Sequence, residues 1–118
     1  MKYSMFIGRW QPWHKGHRWL IDQRLNHNKN VLICIRDMDT DENNPFTPQE
    51  VKTNLEKELF DLIQSKKVKV MIIPDIESVN YGRGVGYGII EHVPPENISE
   101  ISATEIRKNL KITSKTID

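Results

Sequence analysis

The chain has 118 residues, 37% of them hydrophobic and 28% charged, a composition that fits one compact domain and excludes a disordered chain or a multidomain protein. Its 17 Lys and Arg stand against 16 Asp and Glu, for a formal charge of +1, so no global field draws it to nucleic acid or anionic lipid and any anion site must be local. A single cysteine, Cys34, excludes an intramolecular disulfide, and with no run of about 18 apolar residues and no signal-peptide pattern a cytoplasmic protein without membrane contact is expected.

The segment YSMFI (3–7) is short and apolar and is followed by Gly8, which predicts a buried strand ending in a turn. Apolar positions Trp19, Leu20, Ile21 and Leu25 then predict a helix over about 16–27. VLICIRD (31–37) is a near-continuous β-branched run of the kind found in central parallel strands. After the loop MDTDENNPF, Thr47 reads as an N-cap, Pro48 as the first helical residue and Glu50 as part of an acidic first turn, with a helix continuing to about Ser65. VKVMIIPDI (68–76) predicts the third strand. Strand, helix, strand, helix, strand with short connections implies right-handed crossovers and a parallel sheet. The expected fold is therefore α/β, a small doubly wound, Rossmann-like parallel sheet in three αβα layers, with residues 1–118 forming one domain.

Beyond Asp75, SVNYGRGVGYG is too rich in glycine for regular helix and reads as a loop. YGIIEHV (87–93) predicts a fourth strand, 99–101 a short fifth, and SATEIRKNL (102–110) a last helix opened by a hydroxyl cap; 111–118 reads as a flexible tail.

The turn GRWQPWHKGH (8–17) lies where the first strand gives way to the first helix, beside the crevice that holds ligands in open α/β sheets. Gly8 allows a sharp exit, Pro12 stiffens the loop, and Gly16 lets a ligand approach the free amides of a helix start. His14 and His17 can both present ring N–H groups to phosphate oxygens from one helical turn, as neutral donors whose pKa the helix start lowers, while Arg9 and Lys15 add permanent charge. Capping and surface solvation are the plain alternative for the two histidines. A zinc site is not indicated, because His27, His92 and Cys34 stand at no standard ligand spacing from the pair. Ser102 and Thr104 at a helix start, with Arg107 one turn on, make a second anion-binding terminus.

GRWQPWHKGH resembles the GRFQPFHxGH signature of the HxGH nucleotidyltransferase superfamily, which includes nicotinamide mononucleotide adenylyltransferases and cytidylyltransferases. NNPFT (43–47) is similar to the NPFT that opens a helix in archaeal-type adenylyltransferases, and ISATEIR (101–107) to the superfamily's ISSTxIR. The resemblance implies transfer of a nucleoside monophosphate from a nucleoside triphosphate, ATP by preference, to a small phosphorylated acceptor such as nicotinamide mononucleotide, with release of pyrophosphate and with Mg2+ bridging the phosphates. It implies catalytic roles for His14, His17, Lys15 and Arg107, and nucleotide contacts from Gly8, Arg9, Trp10, Gly16, Ser102, Ala103 and Thr104. The acceptor side is assigned to Trp13, for which a packing role stands equally, to Asn44 and Phe46, and to Arg83 and Tyr87, whose loop follows the third strand at the same sheet edge, with no protein ligand to the metal. His17→Ala is expected to cost two to three powers of ten in rate, or about 3–4 kcal/mol of barrier, with little loss of folding stability. Two departures bear on the acceptor: relatives follow NPFT with an Arg in an ER pair where this chain has Glu50 and Val51, and the interval before ISATEIR is short. A cytidylyltransferase and a noncatalytic nucleotide-binding module are the alternative readings, and a homo-oligomer is left open.

Overall fold

The computed structural model describes residues 1–84, 86 and 88–95. Three strands, β1 (Tyr3–Gly8), β2 (Asn30–Asp37) and β3 (Val68–Pro74), and three helices, α1 (Lys15–Leu25), α2 (Pro48–Glu58) and α3 (Phe60–Gln64), follow one another in the order β1-α1-β2-α2-α3-β3. The strands form a parallel sheet in the order β1-β2-β3. Phe6 lies opposite Ile33 and Ile33 opposite Val70, so that every second residue of each strand shares a face.

That alternation determines where the core lies. Val31, Ile33 and Ile35 of β2 and Val68 of β3 pack with Ile21 of α1 and with Val51, Leu55 and Leu59 of the second crossover in one buried cluster. Leu62 and Ile63 of α3 lean on the same cluster. Among the described residues, then, all three helices cover one face of the sheet. The opposite face carries Met5, 54% exposed, and Met71, 38% exposed, on either side of Leu32 and Cys34.

Two expectations are corrected. The helix drawn from 47 to 65 is two helices, because at Leu59 the backbone leaves the helical region (φ −112°, ψ 23°) while its side chain stays buried. The strand drawn over 87–93 is not formed across its described residues 88–93. Ile89, Ile90 and Val93 there are exposed. The run is confined between Gly88 and the Pro94-Pro95 pair and has no ladder partner among the described residues. The strand at 99–101, the helix at 102–110 and the tail at 111–118 lie outside the described residues. No helix among the described residues is long and apolar enough to cross a membrane.

Candidate active site

Because the three strands run parallel, the segments leaving Gly8, Asp37 and Pro74 all emerge at the same sheet edge. The sharp bend of the first segment falls on Trp10, which adopts a left-handed φ of 55°, a conformation that costs a residue with a Cβ about 1–2 kcal/mol. Burial holds it there. Trp10 is 4% exposed, and its indole Nε1–H donates to the Cys34 carbonyl at 3.1 Å. Gly8 serves this ring rather than the turn: a Cβ on Gly8 would lie 3.0 Å from Trp10 Cε2, so only glycine lets the indole lie against β1.

The next residue was not among the sequence candidates. Gln11 is buried, its Nε2 donates to the Phe46 carbonyl at 2.7 Å and its Oε1 accepts the Phe46 N–H at 3.0 Å. This two-point clamp joins the first turn to the loop before α2. Arg9 reinforces the junction, donating to the Asp39 carbonyl at 3.1 Å and lying 3.9 Å from Asp41 Oδ2. Asp41 Oδ1 in turn accepts the backbone N–H groups of Asn43 and Asn44 and the Asn44 amide. Burial alone would raise the Asp41 carboxyl pKa; the Asn44 and Asn43 hydrogen bonds and the Arg9 guanidinium outweigh it and hold the value below the usual carboxylate range. A lone Gln beside a proline carries no periodic signal, and its position within the aromatic turn is the only hint the sequence offers.

His14 and His17 come together at the start of α1 as a reciprocal cap. His14 is the N-cap in extended conformation, and its Nδ1 accepts the Gly16 N–H at 3.0 Å, while His17 Nδ1 accepts the His14 N–H at 3.3 Å. The rings stack with centroids 3.7 Å apart and planes 20° apart. Histidines thus fill both positions of a capping box more often built from Ser or Thr and Glu or Gln. With Nδ1 accepting in each ring, the neutral tautomer carries its proton on Nε2. The expected opening of the Gly16 amide toward an anion is corrected, because His14 already takes that N–H.

Behind the pair, Trp10 meets His17 edge-on at 4.9 Å and Trp13 lies 5.3 Å from it. His17 is 6% exposed. Burial, and next the charge of the adjacent His14, lower its pKa from 6.5 to about 3. The folded ring is neutral while an unfolded one protonates near 6.5, so the stability linked to it is complete above about pH 6.5 and is lost as the pH falls toward 3, by up to about 1.4 kcal/mol per pH unit. Urea midpoints measured between pH 7 and pH 4.5 should therefore fall steeply in the parent and more gently in His17→Gln; parallel slopes would contradict the assignment.

The remaining candidates divide. Trp10 is a core residue. Lys15 is exposed at the first position of α1. Phe46 and Asn44 are drawn to the first turn through Gln11 and Asp41. Asn44 is 2% exposed, and its Oδ1 is a buried side-chain atom without a hydrogen-bond partner. Arg83 is exposed on the loop after β3. Tyr87, Ser102, Ala103, Thr104 and Arg107 lie outside the described residues. Among the described residues no three His, Cys, Asp or Glu side chains converge as a metal site. No family model matches the chain, and no curated protein matches it.

Proposed function

We propose that the chain is a nucleotidyltransferase that moves a nucleoside monophosphate, AMP by preference, from a nucleoside triphosphate to the phosphate of a small acceptor and releases pyrophosphate. The observation that carries this reading is the stacked His14–His17 pair at a helix start. Each ring has its Nδ1 occupied by a backbone N–H and its proton on Nε2. Two rigid ring donors separated by one stacking distance suit adjacent phosphoryl oxygens. The GRWQPWHKGH, NNPFT and ISATEIR resemblances point the same way.

An acceptor phosphate is already ionised, so an oxygen of it attacks the α-phosphorus directly, the bond to the bridging oxygen breaks, and no protein nucleophile is required. His14 and His17 donate from Nε2 to oxygens of the α and β phosphates as charge moves to the bridge. Lys15 and Arg107 neutralise the departing pyrophosphate. Gly8 and Trp10 act from behind, fixing His17, and Arg9 and Gln11 hold the loop that carries Asn44 and Phe46 against the turn. Asn44 Oδ1 offers a buried acceptor to a donor group on the second substrate. Asp41 already accepts three N–H groups and faces Arg9, which leaves it ill suited to a metal. Mg2+ would enter on the triphosphate as its counter-ion.

The same reading extends the fold to a doubly wound, three-layer sheet, with Ser102, Ala103, Thr104 and Arg107 forming a second phosphate-binding helix start and Arg83 and Tyr87 on the acceptor side. The exposed Met5 and Met71 support it, since an apolar sheet face of this kind is normally covered by a further layer. The test is incubation with each of the four triphosphates, Mg2+, pyrophosphatase and a panel of phosphorylated acceptors including nicotinamide mononucleotide. Phosphate release with ATP is expected. Release with CTP alone makes the chain a cytidylyltransferase, and triphosphate binding without turnover for any acceptor makes it a noncatalytic module.

A further inference from the structure

A recess opens between the first turn and the start of α2. It measures about 290 Å3 and is lined by Trp10, Pro12, Phe46, Glu50, Val51 and Asn54, just below the range of about 300–1,000 Å3 usual for drug-sized ligands. Four of the six residues give an apolar and aromatic wall, and the polar ones are a carboxylate and an amide. No Lys or Arg is among these lining residues.

The recess adjoins the N-terminus of α2, which by itself would favour an anion. That terminus already carries a capping box. Glu50 N–H donates to Thr47 Oγ1 at 3.1 Å, Glu50 Oε1 accepts the Thr47 N–H at 3.0 Å, and Pro48 has no N–H to offer. Glu50 thus caps the helix end internally, and its exposed carboxylate belongs to a residue that lines the cavity. Arg9 of the first turn is held by the Asp39 carbonyl and lies beside Asp41. An aromatic wall with one carboxylate and no cation favours a positively charged guest over a phosphate.

We propose that this recess binds an organic ammonium group, with Glu50 as its counter-ion and Phe46, Pro12 and Val51 around its alkyl part. Under the function proposed above, on which this extension rests, the second substrate is then a phosphorylated compound carrying an ammonium at its far end.

The probe is n-propylammonium chloride, titrated into the 15N-labelled full chain at constant ionic strength while the Trp10 indole and Phe46 amide signals are followed. n-Propanol and inorganic phosphate serve as controls. Saturable shifts are expected with n-propylammonium, a response at least tenfold weaker with n-propanol, and none with phosphate. Glu50→Gln, which retains a side chain able to cap the helix, should raise the dissociation constant about tenfold, and Val51→Arg should abolish binding. Equal responses to n-propylammonium and n-propanol, saturation by phosphate, no response at all, or an unchanged constant in Glu50→Gln would each overturn the proposal. Separate titration with ATP distinguishes the two failures: ATP binding without ammonium binding removes this inference alone, and the converse removes the nucleotide reading alone.

Discussion

Under the proposed function, replacing His17 with Gln is expected to lower the rate of pyrophosphate release by two to three powers of ten, equivalent to about 3–4 kcal/mol of barrier, the usual loss when one preorganised donor to a transition-state oxygen is removed. Gln is the informative substitution because it keeps an acceptor at the third helical position for the His14 N–H, while removing the ring that carries Nε2–H. His17→Ala is not the fold-neutral change that the sequence suggests. The ring is buried against Trp10 and Trp13 and caps the helix, so alanine leaves a cavity and an unmet N–H and should cost about 2–4 kcal/mol of stability. Steady-state rates read beside urea midpoints separate the two effects, and a His17→Gln protein as fast as its parent would remove His17 from the chemistry.

Trp10→Ala is the substitution with the largest expected effect on stability, about 3–5 kcal/mol for the lost ring, with a further ~1 kcal/mol for the hydrogen bond to the Cys34 carbonyl. Against a total of about 5–15 kcal/mol for an ordinary domain, this brings the chain close to unfolding at 25 °C. Gly8 leaves room for this ring, and His17 leans on it, so loss of the indole also releases the histidine pair. Trp10→Phe retains most of the packing and should lose no more than about half as much. Chemical denaturation followed by far-UV circular dichroism measures both; if the alanine variant were within about 1 kcal/mol of the parent, Trp10 would not hold the turn.

Regular elements were legible because their burial is periodic. The strand drawn at 31–37 is Asn30–Asp37, and the helix drawn at 16–27 is Lys15–Leu25. Thr47, Pro48 and Glu50 announced the start of α2 by side-chain chemistry alone. The break at Leu59 left no trace in composition, since no Gly or Pro lies between 49 and 65. Ile89 and Ile90 look like strand by propensity, but a strand forms only beside a partner, and a partner is not a local property.

At the site, the sequence located His14 and His17 but not their relationship. A helical spacing of three says that two rings are neighbours; it does not say that each accepts the other's turn through Nδ1, which is what sets the tautomer. Gln11 and Asp41 were missed for a related reason. Their partners are backbone groups, Phe46 from 35 residues away and Asn43 and Asn44 close by, and a backbone partner has no letter in the sequence. The family resemblance assigned Trp10 to the nucleotide, whereas its left-handed backbone and its bond to Cys34 place it in the core.

Histidine side-chain NMR on the 15N-labelled protein tests the paired rings most directly, because two-bond correlations report which ring nitrogen carries the proton. Before ligand is added, His14 and His17 should both show the Nε2–H tautomer at neutral pH. Saturation with Mg-ATP should move both Nε2 signals and leave both Nδ1 atoms unprotonated. Nε2 signals that stay in place at saturating ATP and CTP would contradict a triphosphate held by these two rings.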